Sequence, residues 1–356
     1  DDGGSFEQSS HYHEFASDLA LSYVLISRAN GWRVPEEVSR RVEAMMHFQS
    51  SLGGEYGVPV EFGDCIQVNF FSLGVHAGLG PALYREVYRS LFQGQLCASR
   101  TDVPAVEAAF WLLGGLAPVS EQDTPDVQVQ SAEFLSCGVI TLQDPDSSMN
   151  LVFRTGPKPG VAVMAGHAHS DLLNVTLAVA GRPLVVPSGT FTYRSQPAAW
   201  PKGEPSWRHY FRGPESGNGV VMMGEDPLGK VIAGDFRNKH TSARVASSVK
   251  STLPLAYSVE GELLDVPGLT HYRRGVVPLQ GMYTVVYDVH PVDGILHHDS
   301  IQFAPDACVV HKGKTLIASV PGSSLLYLHF DNSYTSAELH SGSIRPLAGW
   351  VSTEYG

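Results

Sequence analysis

The sequence predicts an α+β chain of more than one domain, in which an α-helical domain precedes a large antiparallel β-sandwich. Three observations predict it. Apolar residues recur at helical spacing from His13 to about Leu116, and short β-branched runs between turn residues take over after Pro118. Between the two textures, at Pro118 to Asp126, Ser, Glu, Gln, Asp, Thr and Pro cluster. The division falls between residues 1–120 and 121–356, each stretch long enough to bury a core of its own.

In the first domain, Phe15, Leu19, Leu21, Val24, Leu25 and Ile26 line one helix, which Asn30-Gly31 stops. A second helix starts after Pro35, carries Val38, Val42, Met45, Met46 and Phe48, and ends near Gly53-Gly54. Further helices are expected at Gln67 to Gly78, Pro81 to Phe92 and Val103 to Leu113, about five in all. In the second domain Gly138 to Leu142, Gly160 to Met164, Asn174 to Val179 and Met282 to Tyr287 read as strands, and regular strands persist to about Phe330.

Composition narrows the function. With 24 basic and 36 acidic side chains the net charge is −12, which argues against a nucleic-acid binder that works by neutralising phosphates. An acidic substrate then needs positive groups gathered locally. Cys65, Cys97, Cys137 and Cys308 lie far apart with no CxxC pair, so neither a zinc knuckle nor a dense disulfide framework is written. No stretch approaches the roughly 20 apolar residues of a membrane span. The opening DDGGSFEQSS lacks the basic and apolar regions of a signal peptide.

Three segments carry the chemistry. In Gly166-His-Ala-His-Ser-Asp-Leu-Leu173, read as a strand, His167 and His169 project to one face and can share a substrate or an ion. A metallohydrolase of the His-x-His-x-Asp-His kind fails at Leu172, where the next histidine belongs. In Asp2 to His13, Tyr12 stands between His11 and His13 at the start of a helix. It either transfers protons or anchors the helix beside solvated histidines. In Ser206 to Gly213, Arg208 and Arg212 with Trp207, Tyr210 and Phe211 either grip a carboxylate or sulfate against a stacking wall, or pack a sandwich edge.

In this order, and together with Gly57-Val-Pro, Phe62-Gly-Asp64, Gly181 to Tyr193 and His271-Tyr-Arg273, these segments resemble the heparinase II/III-like polysaccharide lyases over most of the chain. The resemblance implies a partial α/α toroid ahead of the β-sandwich. It implies a lyase that cleaves an acidic, uronate-containing glycan, glycosaminoglycan- or alginate-like, by β-elimination, in the cell envelope, the periplasm or outside the cell. Such a reaction needs a base for the proton at C5, neutralisation of the uronate carboxylate and an acid for the leaving oxygen. On the resemblance, Tyr12 transfers protons and His167 is its partner base or charge stabiliser. His13, Trp207, Arg208, Tyr210 and Arg212 then hold the substrate, with no nucleic acid and no membrane insertion involved.

The family also carries an Asn or Asn-His pair several helices upstream of this tyrosine, so the chain is expected to be N-terminally truncated relative to it. The family's sandwich ion is implied at His169, but its two other ligand positions read Pro187 and Gly217 here. His169 and Asp171 on one strand face would leave an open, weak site, and Asn218 and Ser188 are poor donors, so no tightly bound zinc and no cofactor are expected. The alternative is a carbohydrate-binding or structural relative that kept the scaffold and lost catalysis.

Overall fold

A computed structural model describes residues 2–54, 56–58, 60–65, 80–94, 103–115, 131–144, 148–156, 167–193, 206–222, 242–250, 257–264, 269–279, 282–291, 297–322, 326–329, 336–344 and 347–352. Four helices come first: α1 (Ser10–Ala29), α2 (Glu36–Leu52), α3 (Gly80–Phe92) and α4 (Val103–Leu113). The first starts earlier than its apolar pattern does, because Ser9 caps it by accepting from the Tyr12 amide at 3.2 Å. Glu36 and Glu37 follow Pro35 into α2, where their charge suits the helix start. Leu21 and Val24, Val42 and Met46, Tyr84 and Val87, and Ala109 bring the four helices into one core. The expected helix at 67–78, the expected strand at 160–164 and the expected boundary at 118–126 lie outside the described residues.

Among the described residues that follow, antiparallel strands predominate. Strands β1 (Ala132–Phe134), β2 (Val139–Asp144), β3 (Met149–Arg154), β4 (Val175–Val179) and β5 (Arg182–Val185) form a five-stranded sheet in chain order. A short helix, α5 (Trp207–Arg212), follows, and then β6 (Val220–Met222). Strands β7 (Ser242–Lys250), β8 (Tyr257–Leu264), β9 (Leu269–Leu279) and β10 (Met282–Pro291) make a four-stranded meander. Strand β11 (His297–Asp299) pairs with β6, β12 (Cys308–Lys312), β13 (Thr315–Ser319) and β14 (Leu326–His329) form a third sheet, and β15 (Ser343–Ile344) pairs with β16 (Leu347–Ala348).

The inner strands β2 to β4 are buried on both faces, which explains why β2 and β3 read as apolar runs rather than as alternation. Ile140, Leu142, Leu151 and Phe153 point to a core shared with Leu173, Val175, Leu184, Ala318 and Val320. Val139 and Val152, of opposite parity, point the other way and meet Phe48 and Leu52 of α2, with Phe62 and Phe134. The helices and the first sheet therefore share a core. On the other side, β8 approaches so closely that a Cβ on Gly261 would lie 2.4 Å from the Leu173 side chain and 3.0 Å from that of Phe153. Among the described residues no helix is long and apolar enough to cross a membrane.

Gly138, at the turn from β1 into β2, shows how tightly this frame closes. Its φ is +71°, and its carbonyl accepts from the amides of Thr155 at 2.8 Å and Gly156 at 3.1 Å. A Cβ there would sit 1.4 Å from the Gly156 oxygen, which is backbone and has no rotamer to move. Gly138→Ala should cost at least about 2 kcal/mol of stability. Urea unfolding followed by circular dichroism measures this, and a change under half of that would mean the turn relaxes.

Candidate functional site

Residues far apart in sequence converge because the chain around Gly63 is pinned on both sides. Ser10 and Phe62 exchange two hydrogen bonds, amide to carbonyl at 3.0 Å and amide to Ser10 Oγ at 3.2 Å. Ser9 Oγ donates to the Asp64 carbonyl at 2.6 Å while capping α1, and the Asp64 amide donates to the His167 carbonyl at 2.7 Å. Gly63 passes between these strands of contact with φ +66°, where a Cβ would lie 2.1 Å from the Gln8 carbonyl oxygen and 2.7 Å from that of His167. Only glycine fits, so the segment Phe62-Gly-Asp64 is a demand of backbone geometry.

The side chain so delivered is Asp64, whose carboxylate is fully buried. It accepts from His167 Nδ1 at 3.2 Å, from His169 Nε2 at 2.8 Å and from both terminal nitrogens of Arg208, at 2.5 and 2.7 Å. Burial by itself pushes this carboxyl up. The hydrogen bonds of His169 and Arg208, with the guanidinium charge, outweigh burial and hold it far below the usual carboxylate range. An ionised carboxylate only accepts, so each imidazole turns an N–H toward it. With Nδ1 turned to Asp64, Nε2 is the other ring nitrogen of His167, and burial lowers His169 against the pull of Asp64.

Tyr12 lies on this imidazole. Its ring stacks on His167 with centroids 3.6 Å apart and planes 15° from parallel. The Tyr193 hydroxyl donates to the Tyr12 hydroxyl at 3.4 Å, and the Arg208 guanidinium sits over the Tyr193 ring at 4.4 Å. Burial, then the bond to Tyr12 and the charge of Asp64, push Tyr193 well above the usual phenol range, so it stays protonated as a donor. The segment that brings Tyr193 is tied down by Thr190, whose Oγ1 accepts from the Cys65 amide at 2.6 Å. Next to it, Phe191 holds a φ of +60°, unusual for a bulky residue, with its ring stacked on Phe211 at 5.5 Å.

The structure thus brings Tyr12, His167 and Arg208 together, by a route that differs from the strand-face expectation. Residues 167–174 form a turn-rich segment ahead of β4, and His167 and His169 converge because Asp64 reaches between them. His13 goes elsewhere. It is 1 % exposed; its Nε2 donates to the Gly3 carbonyl at 2.5 Å, its Nδ1 accepts from Ser17 and Gln49, and its ring meets Phe48. Burial lowers its pKa to about 4, so it is a neutral strut between α1 and α2 rather than a solvated or substrate-facing group. One position along a helix turns a side chain by about 100°, which is enough to separate the fates of Tyr12 and His13.

Helix α5 divides in the same way. Ser206 caps it by accepting from the His209 amide at 2.8 Å. Arg208 and Arg212, four apart, reach the same side, Arg208 to Asp64 and Arg212 to the Ala168 carbonyl at 3.0 Å. Tyr210 is 2 % exposed and accepts from the Trp350 amide at 3.2 Å, so it and the buried Arg212 brace the site from inside. Trp207 packs edge-on to Trp350 and tilted against Phe191, and it stays partly exposed. The site residues that sequence reasoning gave no part are Asp64 and Tyr193, whose signal lay only in the ends of Phe62-Gly-Asp64 and Gly181 to Tyr193.

The positions of the family's ion do not make a donor set. His169 Nε2 is spent on Asp64, and Asp171 pairs with Arg154, whose buried guanidinium also reaches Gln8 and lies 4.0 Å from the Phe62 ring. Asn218 donates to the Val186 carbonyl at 2.9 Å and accepts from the Gln302 amide at 2.7 Å, and Pro187 offers no side-chain donor.

Residues 127–356 match the heparinase II/III-like C-terminal family. No curated protein matches the sequence. Among solved structures, a heparinase III gene product superposes with a TM-score of 0.66 at 17 % identity, covering 92 % of this chain and 45 % of that one. The heparan sulfate lyase HepC from Pedobacter heparinus gives 0.61 at 17 %, covering 92 % and 45 %, and another heparinase III gives 0.59 at 15 %, covering 93 % and 47 %. The chain spans a little under half the length of these structures, and at such identities the likeness is one of fold.

Two outcomes follow from the electrostatics. Asp64→Asn leaves the guanidinium of Arg208 without its counter-charge and should cost about 3–5 kcal/mol in urea unfolding at pH 7. A loss under 1 kcal/mol would show that water replaces the carboxylate. Glu14 is raised from 4.5 to about 7, by burial and then by Asp18 and Glu61, while His11 opposes. Above pH 7 the fold therefore carries an ionised, desolvated carboxylate, and this penalty fades as the pH falls toward 4.5. Glu14→Gln should raise stability at pH 8 by up to about 3 kcal/mol and leave it unchanged at pH 4. Thermal melts at the two pH values check the sign.

Proposed function

The chain belongs to the heparinase II/III-like family through residues 127–356, and from that premise we propose that it is a polysaccharide lyase that cleaves an acidic, uronate-containing glycan by β-elimination. The observation that carries this reading is the Tyr12 ring stacked on His167 at 3.6 Å, with His167 tied through Nδ1 to buried Asp64. The substrate class is a glycosaminoglycan of the heparan sulfate kind, in keeping with what the superposed lyases are named for, or an alginate-like polymer. The helices of residues 1–120 form part of an α/α toroid, residues 121–356 form a β-sandwich, and the cleft lies where the two meet. The enzyme works in the periplasm or outside the cell.

Each group has a part that its surroundings support. Tyr12 moves the proton, abstracting it from C5 of the uronate or returning it to the leaving glycosidic oxygen. His167 is the partner base or charge stabiliser, its Nε2 lone pair made available by the Nδ1 bond to Asp64. Tyr193 hydrogen-bonds the Tyr12 oxygen and steadies negative charge there as the proton leaves. Arg208 positions Asp64 and Tyr193, because both of its terminal nitrogens are engaged by the carboxylate. Trp207 offers a partly exposed ring on which a sugar can stack. His13, Tyr210 and Arg212 support this framework from within.

Incubation with heparan sulfate, hyaluronan and alginate should generate the ultraviolet absorbance of an unsaturated uronate with at least one of them. Tyr12→Phe and His167→Ala should each lower kcat by about 100-fold or more while glycan binding persists. Binding without product, unchanged by Tyr12→Phe, would instead mark a relative that kept the scaffold and lost catalysis.

A further inference from the structure

Beside the Tyr12–His167 pair lies a second group of side chains to which the elimination chemistry assigns no part. His11 precedes Tyr12 in the first turn of α1, Glu61 precedes Phe62, and Cys65 follows Asp64. One ligand atom from each, the imidazole nitrogen, a carboxylate oxygen and the thiol sulfur, lie within 4.8 Å of one another. His11 Nε2 is 3.4 Å from Glu61 Oε1, and Glu61 is close enough to the Cys65 thiol for a hydrogen bond to it. All three residues are half-buried.

We propose that His11, Glu61 and Cys65 form a binding site for a zinc-type divalent metal ion, with three protein ligands and one open position. The donor set is the argument. Nitrogen, carboxylate oxygen and thiolate sulfur together suit a borderline ion such as zinc and do not suit calcium or magnesium, which take oxygen. Ligand atoms around a tetrahedral zinc stand about 3.3–3.8 Å apart, so closing the group from 4.8 Å takes movements of about 1 Å in three side chains with rotatable bonds. Burial, with Glu61 and Asp64 nearby, raises the Cys65 thiol, so a bound ion has to displace its proton.

The backbone under the site is already rigid. The Cys65 amide is held by Thr190, and the loop from Phe62 to Asp64 is held by Ser9, Ser10 and His167, so little order remains to be imposed on binding. A bound ion would join the first turn of α1 to the loop that carries Asp64, the two elements that place Tyr12 and His167. It would use none of His169, Pro187 and Gly217, so the expectation for the β-sheet half concerns other ligands.

The test uses the whole chain, freed of metal with a chelator and titrated with zinc by calorimetry and with cobalt by absorbance. Close to one equivalent of zinc and a thiolate-to-cobalt charge-transfer band in the near ultraviolet are expected. Cys65→Ser should abolish the band and weaken zinc binding by about 100-fold or more, and Cys308→Ser, at an exposed cysteine, should leave both as they are. Glu61→Gln is the second variant, with at least about a 10-fold loss, and melts in chelator verify that each variant is folded. No uptake by the parent chain, or a band that survives Cys65→Ser, would overturn the proposal. Because the readout is binding, either result leaves the lyase reading to its own assay.

Discussion

A carboxylate with no exposed surface is costly to bury, and Asp64 is tolerated because four hydrogen bonds from three residues surround it. Those donors come from sequence separations of 103 to 144 residues, so the helical half, the turn before β4 and α5 must all be in place before the charge is compensated. The same bonds orient His167 and Arg208, and through them Tyr12 and Tyr193. The site is in this sense a single electrostatic unit built across the two textures of the chain.

Its supports are charged as well. Arg154, 2 % exposed, ties Asp171 to Gln8 beneath Phe62, and so joins the turn before β4 to the segment ahead of α1. Arg274 of β9, 1 % exposed, donates to the carbonyls of Leu173 and Asn218 and anchors the meander to the first sheet. Buried arginines suit this task because a planar fork reaches several acceptors at once on a stem that packs like an apolar side chain. Around them the apolar cores give cohesion, and the charged contacts decide register.

Burial also sets the protonation states. His13 and His169 are both lowered by desolvation, and for His13 the neutral ring is the one that its accepting Nδ1 requires. Glu14 is moved the other way for the same reason. Charge near Tyr12 is thus concentrated on Asp64 and Arg208, which balance each other.

The helices were legible locally, because a 3.6-residue apolar period, a serine cap and a glycine or proline stop are properties of neighbouring residues. The strand segments 138–142, 174–179 and 282–287 were legible from β-branched runs for the same reason. Tyr12 and His167 could be paired only through the resemblance, and their contact is set by loops that have no period to read. The burial of His13 was invisible because α2, and not α1, covers that side of the helix. Asp64 carried no mark of its role beyond the glycine before it. What made it the centre is the crowding of Gln8, Gly63 and His167, a condition that exists only once the chain has closed on itself.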